Sequence, residues 1–194
     1  MITVDLLRHG ELEGGIKYRG QLDDPLTEKG RELMDGVWNR VCEDVDLIIS
    51  SPLSRCSQPT EFWAEEKRIP HEIDPRVAEM HYGEWEGLTS EEIMIRNPGM
   101  LEKWRVNPEG MRAPGGESTE ELNRRIADFW SEVCEKHDKK HLMVVAHSGS
   151  IRMLVAHILS APVATTRMLQ MPYGCWSRVV CSHGRSELVF HNRK

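Results

Sequence analysis

Ile2-Thr3-Val4-Asp5-Leu6-Leu7-Arg8-His9-Gly10 is the stretch on which the reading of this chain turns. Residues 2–7 form a short, largely apolar run that stops abruptly at Arg8-His9-Gly10. A strand covered on both faces reads as nearly continuous apolar sequence, whereas a half-exposed strand alternates. The stretch is therefore predicted as a buried strand whose carboxyl end opens into a loop carrying a guanidinium and an imidazole.

The same pattern recurs downstream. Asp46 to Ser50 is a second buried run, followed by Ser51-Pro52 and a helical segment that carries Arg55, Phe62 and Trp63, with Pro59 near its start or kinking it. Leu142 to Ala146 is a third, ended by His147-Ser148-Gly149. A shorter strand near His71 to Asp74 leads to the loop holding Glu79, and strands near Trp176 to Cys181 and Glu187 to His191 close the chain.

Helices fill the intervals. Thr27 is placed to cap one whose apolar face is Leu33, Val37 and Val41. Ser118-x-x-Glu121 forms a capping box ahead of Leu122, Ile126, Phe129, Trp130 and Val133. Ile151 to Leu159 reads as a largely buried helix, with His157 as a satisfied core histidine. Strands alternating with helices predict an α/β fold, a three-layer αβα sandwich around a mainly parallel sheet with an antiparallel final pair. A single domain is expected over 1–194, with a partly irregular lid around 80–116 where proline and glycine accumulate.

Composition narrows the function. The net charge of −6 disfavours nucleic-acid polymers and anionic membranes as partners. No apolar run approaches the roughly 18 residues of a membrane span, and the N-terminus lacks a basic segment leading into an apolar one, so a cytoplasmic location is expected. Five cysteines without a Cys-x-x-Cys pair suit reduced thiols. His137 and His141 have the spacing of two zinc ligands, but Asp138-Lys139-Lys140 between them reads as a polar turn, and no metal or other cofactor is expected. A homodimer is compatible with the sequence without being required by it.

In open α/β sheets ligands bind beyond the carboxyl ends of the strands. Arg8, His9, Arg55, Glu79 and His147 all follow strands, so two imidazoles, two guanidiniums and one carboxyl can converge there. Alone, each reads as an ordinary polar residue at a strand end. Together they suit phosphoryl transfer, in which catalysis is mainly positioning and electrostatic stabilisation of equatorial oxygens.

Leu7-Arg8-His9-Gly10-Glu11 resembles the signature of the histidine phosphatase superfamily, which includes phosphoglycerate mutases and acid phosphatases. Pro25-Leu26-Thr27-x-x-Gly30, Ser51-Pro52-x-x-Arg55, Glu79-x-x-x-Gly83-x-Trp85-Glu86-Gly87, Pro114-Gly115-Gly116-Glu117-Ser118 and Ala146-His147-Ser148-Gly149 follow in that family's order. The resemblance implies a phosphoglycerate mutase-like fold and a metal-independent phosphomonoesterase. It makes His9 the phospho-acceptor and Glu79 the proton donor. Arg8, Arg55 and His147 would hold the phosphoryl oxygens, with Ser148 beside them and Glu11 helping to order the pocket. Two departures stand out: Glu13-Gly14-Gly15 replaces an asparagine that helps hold the phosphate loop in many relatives, and Pro59-Thr60 stands where threonine-alanine is common.

The expected substrate is a small phosphomonoester. No basic insertion follows Glu79, which favours hydrolysis over phosphoglycerate mutase-type transfer; a broad-specificity sugar phosphatase is the other alternative, and a catalytically silent phosphate binder is disfavoured by the intact set. Gly174-Cys175-Trp176-Ser177 resembles α-ribazole-5′-phosphate phosphatases of cobalamin biosynthesis. An uncharged sugar and a flat base would stack on Trp104 and Trp176, with Trp85 left to packing.

Overall fold

The computed structural model describes residues 1–193. Alternation along β1 (Ile2–Arg8) sends Ile2, Val4 and Leu6 to one face of the sheet and Leu7 to the other. β2 (Leu47–Ser50), β3 (His71–Ile73), β4 (His141–Ala146), β5 (Trp176–Ser182) and β6 (Arg185–Arg193) complete one sheet in the order β3-β2-β4-β1-β5-β6. β1, β2, β3 and β4 pair in parallel, and β5 runs antiparallel to both β1 and β6. The expected mainly parallel sheet is present, and antiparallel pairing begins one strand earlier than the final pair, at β1 and β5.

The helices cover both faces. α1 (Glu28–Val41) and α2 (Ser54–Lys67) pack with Leu7, Ile48, Met143 and Val145. α5 (Thr119–Lys136) and α6 (Ser148–Ile158) pack with Val4, Ile49 and Val144 on the opposite face. Thr27 Oγ1 accepts the Gly30 N–H at 2.9 Å, and Ser118 with Glu121 closes the capping box reciprocally, each cap being worth about 1 kcal/mol. On α1 the buried stripe is Met34, Val37, Trp38 and Val41, while Leu33 is 38% exposed. A strict fourfold spacing drifts around a helix of 3.6 residues per turn, so the i, i+3, i+4, i+7 set wins. Pro59 lies inside α2, where Thr60 Oγ1 donates back to the Cys56 and Ser57 carbonyls.

His157 is a further correction: it is exposed, in the last turn of α6. The apolar residues adjacent in sequence project about 100° away on a helix, so sequence neighbours did not enclose it. The region expected as an irregular lid contains α3 (Ser90–Arg96) and α4 (Met100–Val106), with Trp85, Ile93, Leu101, Trp104 and Ala113 all buried. Trp85 donates to Asn97 Oδ1 at 2.8 Å and stands edge-on to Trp104, 5.6 Å between ring centres. No described helix is long and apolar enough to cross a membrane.

Asp5 is the one acid inside β1 and is fully buried. Trp176 Nε1 donates to it at 2.6 Å, Arg178 Nε and Nη2 at 2.8 Å each, and His141 Nε2 lies 2.7 Å away. Burial opposes the carboxylate, but the hydrogen bonds from Arg178, His141 and Trp176 outweigh it and hold the carboxyl below its ordinary value. A lowered carboxyl stabilises the fold above the unfolded value of about 3.9, and that contribution is lost as pH falls through the folded value. Asp5→Ala is therefore expected to cost about 3–5 kcal/mol in urea unfolding at pH 7, the gap to the parent narrowing below about pH 4. A constant gap across that range would show that the loss is packing alone.

Candidate active site

The carboxyl ends of β1 and β4 are adjacent, Arg8 standing opposite Ala146, so the loops after them meet. His9 N–H donates to Ala146 O at 3.0 Å, and Gly174 N–H donates to His9 O at 3.2 Å, which pins the His9 backbone from both sides. The loop then presses on the first turn of α1. A Cβ on Gly10 would lie 1.9 Å from Gly30 O, and one on Gly30 would lie 2.2 Å from Glu11 O. Two facing glycines are thus a steric requirement, which explains the spacing from Gly10 to Gly30.

His9 is 4% exposed, and its Nδ1 lies 2.8 Å from Gly10 O. A carbonyl only accepts, so Nδ1 carries the proton and the lone pair of the neutral ring resides on Nε2. Burial first, then the charges of Arg8 and Arg55, hold the imidazole well below its ordinary value of 6.5. His9 is therefore a neutral base at physiological pH.

His147 lies behind it, ring centres 5.1 Å apart. Arg55 Nε donates to His147 Nδ1 at 3.2 Å, so Nε2 holds the proton and donates to Ser51 Oγ at 2.7 Å. Burial, followed by Arg55, also keeps this imidazole neutral. Both ring nitrogens are thus committed to protein groups, and His147 does not line the cavity. In this arrangement His147 is in direct contact with Arg55 and Ser51.

Arg55, at the start of α2, is 1% exposed and also donates to the Leu22 and Gly20 carbonyls at 2.8 and 2.7 Å. A guanidinium has five N–H donors; the bonds to Leu22, Gly20 and His147 use three, Asp23 Oδ1 lies 3.6 Å from Nη1, and one donor remains on Nη2. Arg8 donates to Met171 O, its guanidinium lies 4.0 Å above the Tyr173 ring, and its buried Nε has no hydrogen-bond partner. Such an orphaned donor is costly, and an anion's oxygen would relieve it.

Glu79 is delivered by a brace from the opposite layer. Arg125 of α5 donates to the carbonyls of Arg76, Ala78 and Glu79 and pairs with Glu117 at 2.7 Å. The 8%-exposed carboxyl accepts the Gly149 N–H at 3.1 Å and the Met80 N–H at 2.9 Å. A Cβ on Gly149 would come within 2.3 Å of Glu79 Oε1, so glycine after His147-Ser148 makes room for the acid. The neighbouring acids are disposed otherwise: Glu84 is exposed, Glu86 accepts the Gln21 and Tyr82 N–H groups at 3.0 Å, and neither lines the cavity.

Arg8, His9, Arg55, Glu79 and Ser148 line a cavity of about 320 Å³, within the range of small-molecule sites. Glu11 does not: its carboxylate is 44% exposed and 3.8 Å from Lys29 Nζ, and only its backbone, accepting the Thr27 N–H, orders the loop. Trp104 and Trp176 also lie off the cavity. Trp104 is 2% exposed in the core, and Trp176 is tied to Asp5 and packed edge-on to Phe190 at 4.7 Å. The rings that do line it are Tyr18, Tyr82 and Tyr173.

Sequence reasoning passed over Lys17, Arg19, Arg152 and Arg167, which also line the cavity. Arg19 takes over the loop for which no asparagine is present: Nη2 donates to the Glu13 and Gly15 carbonyls at 2.6 Å and Nε to Asp24 at 2.8 Å. Arg152 had a usable signal, being one helical turn from Ser148. Among the described residues no group of three or more His, Cys, Asp or Glu is placed to hold a metal, and His141 is engaged with Asp5.

The family model described as Histidine phosphatase superfamily (branch 1) matches residues 4–194. The adenosylcobalamin/alpha-ribazole phosphatase of Salmonella typhimurium is 27% identical over 192 residues, covering 97% of this chain and 95% of that protein. A probable phosphoglycerate mutase of Photorhabdus laumondii is 33% identical, covering 94% and 86% respectively. Among solved structures, a mycobacterial glucosyl-3-phosphoglycerate phosphatase complexed with VO3 superposes with a TM-score of 0.89 at 29% identity, covering 99% of each chain. The cation-lined cavity at the ends of β1 and β4 is thus found in a chain that belongs to the histidine phosphatase superfamily, branch 1.

Proposed function

We propose that this phosphatase hydrolyses a small phosphomonoester by way of a phosphohistidine on His9. The observation that carries the reading is the setting of that imidazole: buried, on one cavity with Arg8 and Arg55, and with Nδ1 anchored on Gly10 O so that the Nε2 lone pair is available, while burial and the two guanidinium charges disfavour its protonation. His9 Nε2 attacks phosphorus and the P–O bond to the alcohol breaks. The spare donors of Arg8 and Arg55 hold the equatorial oxygens. The Glu79 carboxylic acid gives its proton to the leaving alkoxide; as carboxylate it then takes a proton from the water that attacks the phosphohistidine, releasing inorganic phosphate. Cys56 is no rival nucleophile, because burial pushes its thiol up and keeps it protonated.

Residues 80–116 contribute Tyr82 and Ser90 to the cavity and are read as its cover. The five cysteines are thiols rather than disulfides, which supports a cytoplasmic location. α-Ribazole 5′-phosphate belongs in the substrate panel on the strength of the relative that carries that name. Its base would meet the tyrosines rather than Trp104 or Trp176.

Purified protein is expected to release phosphate from an aryl phosphate at a rate nearly unchanged by exhaustive chelation, because guanidiniums supply the positive charge at the site. Activity lost on chelation and restored only by a divalent cation would overturn this mechanism.

A further inference from the structure

Six cations line the cavity, Arg8, Lys17, Arg19, Arg55, Arg152 and Arg167, against a single carboxylate, Glu79. Two of them are accounted for by a phosphoryl group, and Arg19 is spent on the loop carbonyls and Asp24. Three remain. Arg152 projects from α6, one turn beyond Ser148, and uses only Nε internally, donating to Leu169 O at 2.9 Å. Arg167 ends the turn of 3-10 helix at Val163–Arg167 that packs on α6, and Lys17 comes from the loop after β1. Among the described residues none of the three has an ion-pair partner.

Holding Arg152 beside Arg167 costs free energy. Burial, and next the charge of Arg167, work against the Arg152 guanidinium. A pair of like charges on one cavity, with Glu79 as the one carboxylate among the lining residues, suits an anionic ligand. No basic insertion follows Glu79 in the sequence, and the body of the fold supplies these cations instead.

We propose that Arg152 and Arg167, with Lys17, form a second anion subsite, so that the preferred substrate is a phosphomonoester whose alcohol portion carries its own carboxylate or phosphoryl group. The proposal rests on the phosphatase reading above and specifies its substrate class.

The test uses two matched pairs: glycerol 3-phosphate against 3-phosphoglycerate, and 1,3-propanediol monophosphate against the corresponding bisphosphate. The protein is expected to favour the anionic tail in at least one pair by roughly 10-fold or more in kcat/KM, the scale of a charge-assisted hydrogen bond. The pair that responds tells a carboxylate from a second phosphoryl group. Arg152→Gln and Arg167→Gln are each expected to shrink that ratio, mostly through KM. The ratio is the readout, so a general loss of activity does not imitate the result. No preference in either pair, or a preference that survives in both variants, overturns the subsite. Failure to hydrolyse p-nitrophenyl phosphate as well would instead strike the phosphatase reading itself.

Discussion

His9→Ala is expected to lower kcat/KM for every phosphomonoester by roughly 10⁴-fold or more, the scale on which loss of a covalent nucleophile acts. The imidazole's hydrogen bond is local, to the carbonyl of the next residue, whereas the long-range ties at this position are made by the His9 backbone to Ala146 and Gly174. Those ties survive the substitution. The variant should therefore keep the parent's circular dichroism and unfold within about 1–2 kcal/mol of it, the removed ring leaving a cavity at an already open site. Circular dichroism, urea unfolding and phosphate release measured together separate chemistry from folding. A folded variant with undiminished activity would exclude His9 as the acceptor.

Glu79→Gln is expected to slow hydrolysis of alkyl phosphates by roughly 10²–10⁴-fold, and of aryl phosphates with good leaving groups much less. An alkoxide must be protonated as it departs, whereas a nitrophenolate need not be. Glutamine keeps an oxygen that can accept from Gly149 and Met80, so the side chain stays placed while its transferable proton is lost. Comparing kcat/KM for an alkyl and a nitrophenyl phosphate on both proteins gives the answer. Equal losses on both substrates would assign the proton transfer to another group.

Much of the framework was legible because it is locally encoded. Thr27 and Ser118-x-x-Glu121 announce helix starts through bonds that span three residues, and the abrupt ends of three apolar runs place Arg8, Arg55 and His147 on one edge of a parallel sheet. Facing glycines at 10 and 30, and the glycine at 149 beneath Glu79, give steric meaning to spacings the sequence only displays. What was not legible depends on contacts between distant segments. Asp5 reads as an interruption in an apolar run until Arg178, more than 170 residues later, is seen across the β1–β5 pair. The tryptophans invited assignment to a substrate ring, yet Trp176 is claimed by that same Asp5 and Trp104 by the core beneath residues 80–116. Lys17, Arg152 and Arg167 carry no common spacing, and only the fold brings them to one cavity. The orientation of His147, set by Arg55 and Ser51, could not be read from its position after β4.

The most direct test of the account is rapid-quench mapping of a single turnover with radiolabelled substrate, stopped without acid because a phosphoramidate is acid-labile. Label is expected to appear transiently on the peptide containing His9, to be lost on mild acid treatment, and to be absent from His9→Ala. Label on His147 or on any hydroxyl or thiol side chain, or free phosphate appearing through the burst with no labelled protein at any time, would contradict it.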